Sequence, residues 1–153
     1  PPEALDPAAK TANFLNCILA KVEANSAGAF EGIMLNTRGE VAEGTVSNVF
    51  YVKNGALFTP SPEAGILRGI TRDLVLRLAR DLGVEAEESL FGQEELLRAD
   101  EVFLTNSTWE VLPVVELDGR PVGGGGPGPL AGMLLREYGS FVARALSQER
   151  PVI

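Results

Sequence analysis

Four short stretches carry residue types that can do chemistry. Lys10 stands just ahead of an apolar segment. It reads either as a solvated surface amine or, buried beside apolar neighbours, as a nucleophile or base with a lowered pKa. Glu43 lies in Val41-Ala42-Glu43-Gly44. It is either a turn residue or a carboxylate placed to hold a cationic ring nitrogen. Gly69-Ile70-Thr71-Arg72 opens a helical pattern. Free amides and a hydroxyl there make a generic anion site, or simply a helix cap. Thr105-Asn106-Ser107-Thr108 follows an apolar strand pattern. Its hydroxyls can donate to a phosphate or carboxylate, or form an ordinary polar loop.

The chain contains no histidine and one cysteine, Cys17. That excludes a Ser-His-Asp triad, a histidine base, His-ligated metals, intrachain disulfides and Cys-rich zinc sites. Lysine is the natural acid–base residue that remains. The tetraglycine at 123–126 lacks the Gly-Lys-Ser/Thr ending of a phosphate loop and reads as a flexible connection before a helix.

Positioning these residues requires a mixed α+β fold. Residues 11–24 carry Phe14, Leu15, Ile18, Leu19 and Val22 on one helical face. Strands are expected over 30–35, 40–43, 49–52 and 56–59, as an antiparallel meander with Asn54-Gly55 as its tight hairpin. A loop rich in proline and glycine spans 60–69. A helix is predicted over 70–82, with Ile70, Leu74, Val75, Leu78 and Ala79 on one face. Strands over 84–89, 101–105 and 111–117 alternate with a short helix over 93–99. A final helix covers 130–146, with Leu134, Tyr138, Phe141, Val142 and Ala145 inward.

The 153 residues suffice for one domain with a real core, and 45% hydrophobic against 22% charged residues is a globular composition. A formal charge of −8, from 13 basic and 21 acidic side chains, disfavours nucleic acid as a partner. No apolar run reaches a membrane span, and the single cysteine suits a reducing cytoplasm. The chain opens Pro1-Pro2-Glu3 without methionine, which raises the expectation of a piece of something longer.

Taken in order, five blocks resemble the class IV aminotransferase family of fold-type IV, pyridoxal-phosphate-dependent enzymes. They are Lys10-Thr11-Ala12-Asn13-Phe14, Ala42-Glu43-Gly44-Thr45-Val46-Ser47-Asn48-Val49-Phe50, Gly65-Ile66-Leu67-Arg68-Gly69-Ile70-Thr71-Arg72, Ala99-Asp100-Glu101-Val102-Phe103 and Thr105-Asn106-Ser107-Thr108-Trp109. The resemblance implies pyridoxal 5'-phosphate as cofactor. Lys10 would bind it covalently and carry the substrate proton, and Glu43 would face its ring nitrogen. Leu67 would pack on the ring. Ile70, Thr71 and Ser107 would hold the phosphate, and Thr108 would lie near the substrate carboxylate. Phe14 stands where many relatives have a tyrosine.

The implied activity is amino transfer between a small amino acid and a 2-oxo acid, in a cytoplasmic homodimer. The alternatives are an aminodeoxychorismate lyase, releasing pyruvate and 4-aminobenzoate, and a non-catalytic binding fragment. The family carries a smaller N-terminal domain ahead of the lysine, so residues 1–153 are expected to be the C-terminal cofactor-binding domain alone.

Overall fold

The computed structural model describes residues 14–148. Its elements are α1 (Leu15–Ser26), β1 (Ile33–Leu35), β2 (Val41–Gly44), β3 (Asn48–Lys53), β4 (Ala56–Pro60), α2 (Ile70–Asp81), β5 (Ala86–Ser89), α3 (Gln93–Leu97), β6 (Glu101–Asn106), β7 (Glu110–Val114), β8 (Glu116–Leu117), β9 (Arg120–Pro121) and α4 (Pro129–Gln148), with a 3-10 turn at Pro62–Ala64. The mixed α+β expectation holds.

A five-stranded sheet ordered β5-β4-β3-β6-β7 forms the centre. All its pairings are antiparallel except β4 with β5, which are joined through α2. Strand β3 explains why both sheet faces are covered. Its Phe50 and Val52 point into one core with Phe103, Val75, Ala79 and Leu134, under α2 and α4. Val49 and Tyr51 alternate to the other face and meet Val41, Phe91, Leu96 and Val102. The Asn54-Gly55 hairpin forms with positive φ at both residues, the backbone a tight two-residue turn requires.

Several expectations change. The meander of 30–59 divides: β1 pairs only with β2, while β3 takes β4 on one side and β6 on the other. Buried on both faces, β3 belongs at the sheet centre and needs two strand neighbours. The strand expected over 111–117 ends at Val114, and Glu116–Leu117 forms a separate hairpin with β9. Ile70 leaves the buried face of α2 and is 78% exposed. Ala145 is exposed in α4.

The glycine stretch is exposed over 123–126, and Gly124 and Gly126 face open space, but two of its glycines stand in close contact. A side chain at Gly123 would run into the Asp100 carbonyl, and one at Gly128 into the Glu101 carboxylate. That carboxylate accepts from the amides of Leu130 and Ala131 at 2.9 and 2.8 Å. It thereby satisfies the free donors at the first turn of α4. Among the described residues no helix is long and apolar enough to cross a membrane.

Candidate functional site

Strand β2 delivers Glu43 to the edge of a cleft of about 1520 Å³, whose walls include Cys17, Ala20, Phe30, Met34, Glu43 and Leu67. The Glu43 carboxylate has one hydrogen-bond partner among the described residues, the Leu67 amide at 2.9 Å. Burial pushes its pKa up to about 7, and that single amide bond only partly opposes the rise. A desolvated carboxylate with one neutral donor is poised for a cationic partner. The Cys17 thiol is likewise pushed up, first by burial and then by the Glu43 and Glu31 charges. Both carboxylates therefore act on the same corner of the cleft.

Leu67 is fixed from both sides. Its amide donates to Glu43, and its carbonyl accepts from Asn48 Nδ2 at 2.8 Å. Asn48 begins β3 and pairs in register with Thr105 of β6. Its Oδ1 also lies where a side chain at Gly69 would have to go. Asn48 thus gathers the 65–69 loop, the mouth of α2 and the end of β6.

At that mouth the first helical hydrogen bond runs from Asp73 N to Gly69 O at 3.0 Å. The amides of Ile70, Thr71 and Arg72 consequently have no partner inside the helix, and no side chain caps it. Thr71 is 3% exposed, yet its hydroxyl has no partner among the described residues. Among the same residues the buried hydroxyls of Ser47 and Thr105 are unpartnered too. All three lie within two residues of Asn48 or of the groups it contacts. Free amides and buried orphan hydroxyls are the donor set a phosphate requires. Arg72 does not add its charge. Its buried Nη atoms bond the Pro60 carbonyl, Glu88 and Asp73, while its Nε has no partner among the described residues.

The residues singled out in the sequence therefore reach different standings. Glu43 and Leu67 are in direct contact, and Thr71 is linked to them through Asn48 and Gly69. Ile70 offers its amide while its side chain faces outward. Ser107 and Thr108 follow β6 and are exposed. The Thr108 and Trp109 amides donate to Asn106 Oδ1 at 2.9 and 2.7 Å. Trp109 packs on Phe30 with ring centroids 5.1 Å apart. Thr71, Ser107 and Thr108 are not among the walls of the cleft that holds Glu43. Lys10 lies outside the described residues. Sequence reasoning missed Asn48 as a positioning residue and gave no role to Glu31, whose buried carboxylate holds Thr45.

The profile described as class IV amino-transferase matches residues 1–117. The chain belongs to the class IV aminotransferase family. It is 42% identical over 130 residues to the branched-chain-amino-acid aminotransferase of Escherichia coli K12, covering 84% of this chain and 42% of the relative. It is 45% identical over 121 residues to the D-alanine aminotransferase of Bacillus licheniformis, covering 79% and 42%. A crystal structure of the branched-chain amino acid aminotransferase from Thermobaculum terrenum, in its PLP-bound holo form, superposes with a TM-score of 0.88 at 42% identity, over 92% of this chain and 46% of that one. The fold is therefore that of the fold-type IV aminotransferases. The chain spans less than half the length of these curated relatives.

Proposed function

We propose that this chain is the C-terminal cofactor-binding half of a pyridoxal 5'-phosphate-dependent aminotransferase that moves an amino group between a small amino acid and a 2-oxo acid. The observation that carries the reading is Glu43: a half-buried carboxylate at a cleft edge, its pKa raised to about 7, with one amide as its partner among the described residues. A protonated pyridine nitrogen is the cation that would complete it. The residues present also fit the phosphate, through the free amides of Ile70 and Thr71 and the orphan Thr71 hydroxyl.

When bound, the cofactor supplies an electron sink for the pair left behind as the substrate's α-proton departs. The protein's part is to hold and to move protons. Glu43 Oε would keep a proton on the ring nitrogen. Leu67, locked between Glu43 and Asn48, would bear on the ring face. Ile70, Thr71 and Ser107 would bind the phosphate, and Thr108 would lie by the substrate carboxylate. Lys10 Nζ would hold the cofactor covalently and, once released, carry the α-proton. Walls of apolar residues such as Met34 and Leu112 favour an aliphatic substrate side chain. A homodimer working in the cytoplasm completes the reading. The apolar face of α1, exposed here, would be covered by the remainder of the enzyme or by a second copy.

The test is borohydride reduction of the intact protein loaded with pyridoxal 5'-phosphate, followed by peptide mapping. A pyridoxyl adduct on Lys10 is expected, and an adduct on Lys21 or Lys53 alone overturns the assignment. Amino exchange and pyruvate release are assayed together. Pyruvate and 4-aminobenzoate formed from aminodeoxychorismate, without amino exchange, would replace the aminotransferase by the lyase.

A further inference from the structure

Glu31 is almost fully buried, with 4% of its side chain exposed, and all its hydrogen bonds fall on one oxygen. Oε1 accepts from the Thr45 amide at 2.9 Å, the Gly32 amide at 3.0 Å and the Thr45 hydroxyl. Oε2 has no hydrogen-bond partner among the described residues, and Lys21 Nζ stands 4.0 Å away, its own bond spent on the Phe30 carbonyl. A buried carboxylate held this way is costly unless its donors are what matter.

Two of those donors, the amide and hydroxyl of Thr45, belong to the turn that follows Glu43. Gly44 N closes that turn on the Ser47 carbonyl at 2.7 Å, and Thr45 N also reaches the Gly32 carbonyl at 3.0 Å. Asn106 Nδ2 holds Val46 O from the far side at 3.2 Å. Glu43 itself is anchored by side chain only at Leu67. Where its carboxylate sits is thus decided by where the Gly44–Ser47 turn is pinned, and the amide and hydroxyl of Thr45, both donating to Glu31, pin it.

We infer that Glu31 is a positioning residue: by clamping Thr45 it holds Glu43 at the cleft edge in register with a bound ring nitrogen. The part about the ring rests on the aminotransferase reading, whereas the clamp itself does not. Glu31 acts through Thr45. What the clamp needs is an acceptor in a fixed place, so glutamine should serve and alanine should not.

The experiment uses the intact protein with E31Q, E31A and T45V. The ligand-free readout is the titration of Glu43, followed by carboxyl carbon NMR. Glu43 should titrate near about 7 in the parent and hold that value in E31Q. In E31A the loosened carboxylate reaches water, and its midpoint should fall by roughly one pH unit or more. Comparing E31A with E31Q removes the effect of charge, because both lack the Glu31 charge. Pyridoxal 5'-phosphate affinity, by absorbance titration, should weaken roughly tenfold or more in E31A and stay within about threefold in E31Q, the scale of an outer-shell loss.

T45V keeps the side-chain shape and removes one donor. It should shift both readouts in the E31A direction, and it decides the matter if E31A fails to fold. A folded E31A or T45V with the parent's Glu43 midpoint overturns the inference. So does E31Q behaving like E31A. If the parent binds no pyridoxal 5'-phosphate while E31A still lowers the midpoint, the clamp stands and the aminotransferase reading falls.

Discussion

Replacing Glu43 by glutamine should stabilise the cofactor-free protein at alkaline pH, although it removes the central acidic group of the site. Burial raises the Glu43 pKa from 4.5 to about 7. The folded state therefore binds this proton more tightly than the unfolded chain does. Stability from this group is fully present below about pH 4.5 and is lost as pH rises through about 7. At about 1.4 kcal/mol per pH unit, the whole effect is about 3 kcal/mol, of which about 2 kcal/mol falls between pH 5.5 and 8.5. The glutamine of E43Q cannot ionise, so it escapes that loss. Its oxygen can still accept from Leu67 N, and amide hydrogens left without an acceptor would cost about 1–3 kcal/mol, a cost that does not depend on pH. The sharp quantity is thus the change in the difference between variant and parent. Urea unfolding of both proteins without cofactor should show E43Q gaining about 2 kcal/mol on the parent from pH 5.5 to 8.5. Every other titrating group is common to both and cancels. A difference that stays constant across this range would mean that Glu43 is hydrated in the folded protein, and the account of the site would fail with it. The loaded enzyme should behave in the opposite sense, E43Q losing most of its turnover, because a neutral amide no longer favours a protonated ring nitrogen.

Two further substitutions address the phosphate donors and the frame behind them. Thr71→Val removes a buried hydroxyl that has no partner, so the cofactor-free protein should lose no stability in urea unfolding, while pyridoxal 5'-phosphate affinity by absorbance titration should drop about tenfold, the effect of one charge-assisted hydrogen bond. Glu101→Ala strands the amides of Leu130 and Ala131 at the buried start of α4, and urea unfolding should show a loss of about 2–3 kcal/mol.

Much of the site was legible because each of its parts is local. The glycine and threonine at the mouth of α2 are close in sequence, and a helix start exposes its amides wherever it occurs. Glu43 lies near the end of a short strand, between Ala42 and Gly44. What stayed hidden is long-range. Glu31 meets Thr45 across 14 residues, Asn48 meets Leu67 across 19, and Glu101 meets Leu130 across 29. A polar side chain that bonds a distant backbone leaves no periodicity. One faint signal existed for Glu101. It heads an apolar strand pattern, Val102-Phe103-Leu104, and an acid buried there must find donors. The glycine run held the answer, since Gly128 makes room for that carboxylate.

The fate of the apolar helix faces follows the same division. A spacing of three and four identifies a stripe, but it cannot say what lies opposite. In α2 the stripe finds the central sheet, and Val75, Leu78 and Ala79 are buried. Ile70 keeps the spacing and still stays outside, although Thr71 and Arg72 beside it in the first turn are buried. In α1 the same spacing leaves Phe14, Leu15, Ile18, Leu19 and Val22 all about half exposed. Only Ala24 is buried, against Gly32, where the small residues let helix and strand approach. Covering each of those five side chains would contribute about 1 kcal/mol or more. Helix α1 follows directly from the segment that carries Lys10 and forms one wall of the cleft at Cys17 and Ala20. Whatever covers its outer face therefore also sets how firmly that wall stands beside Glu43.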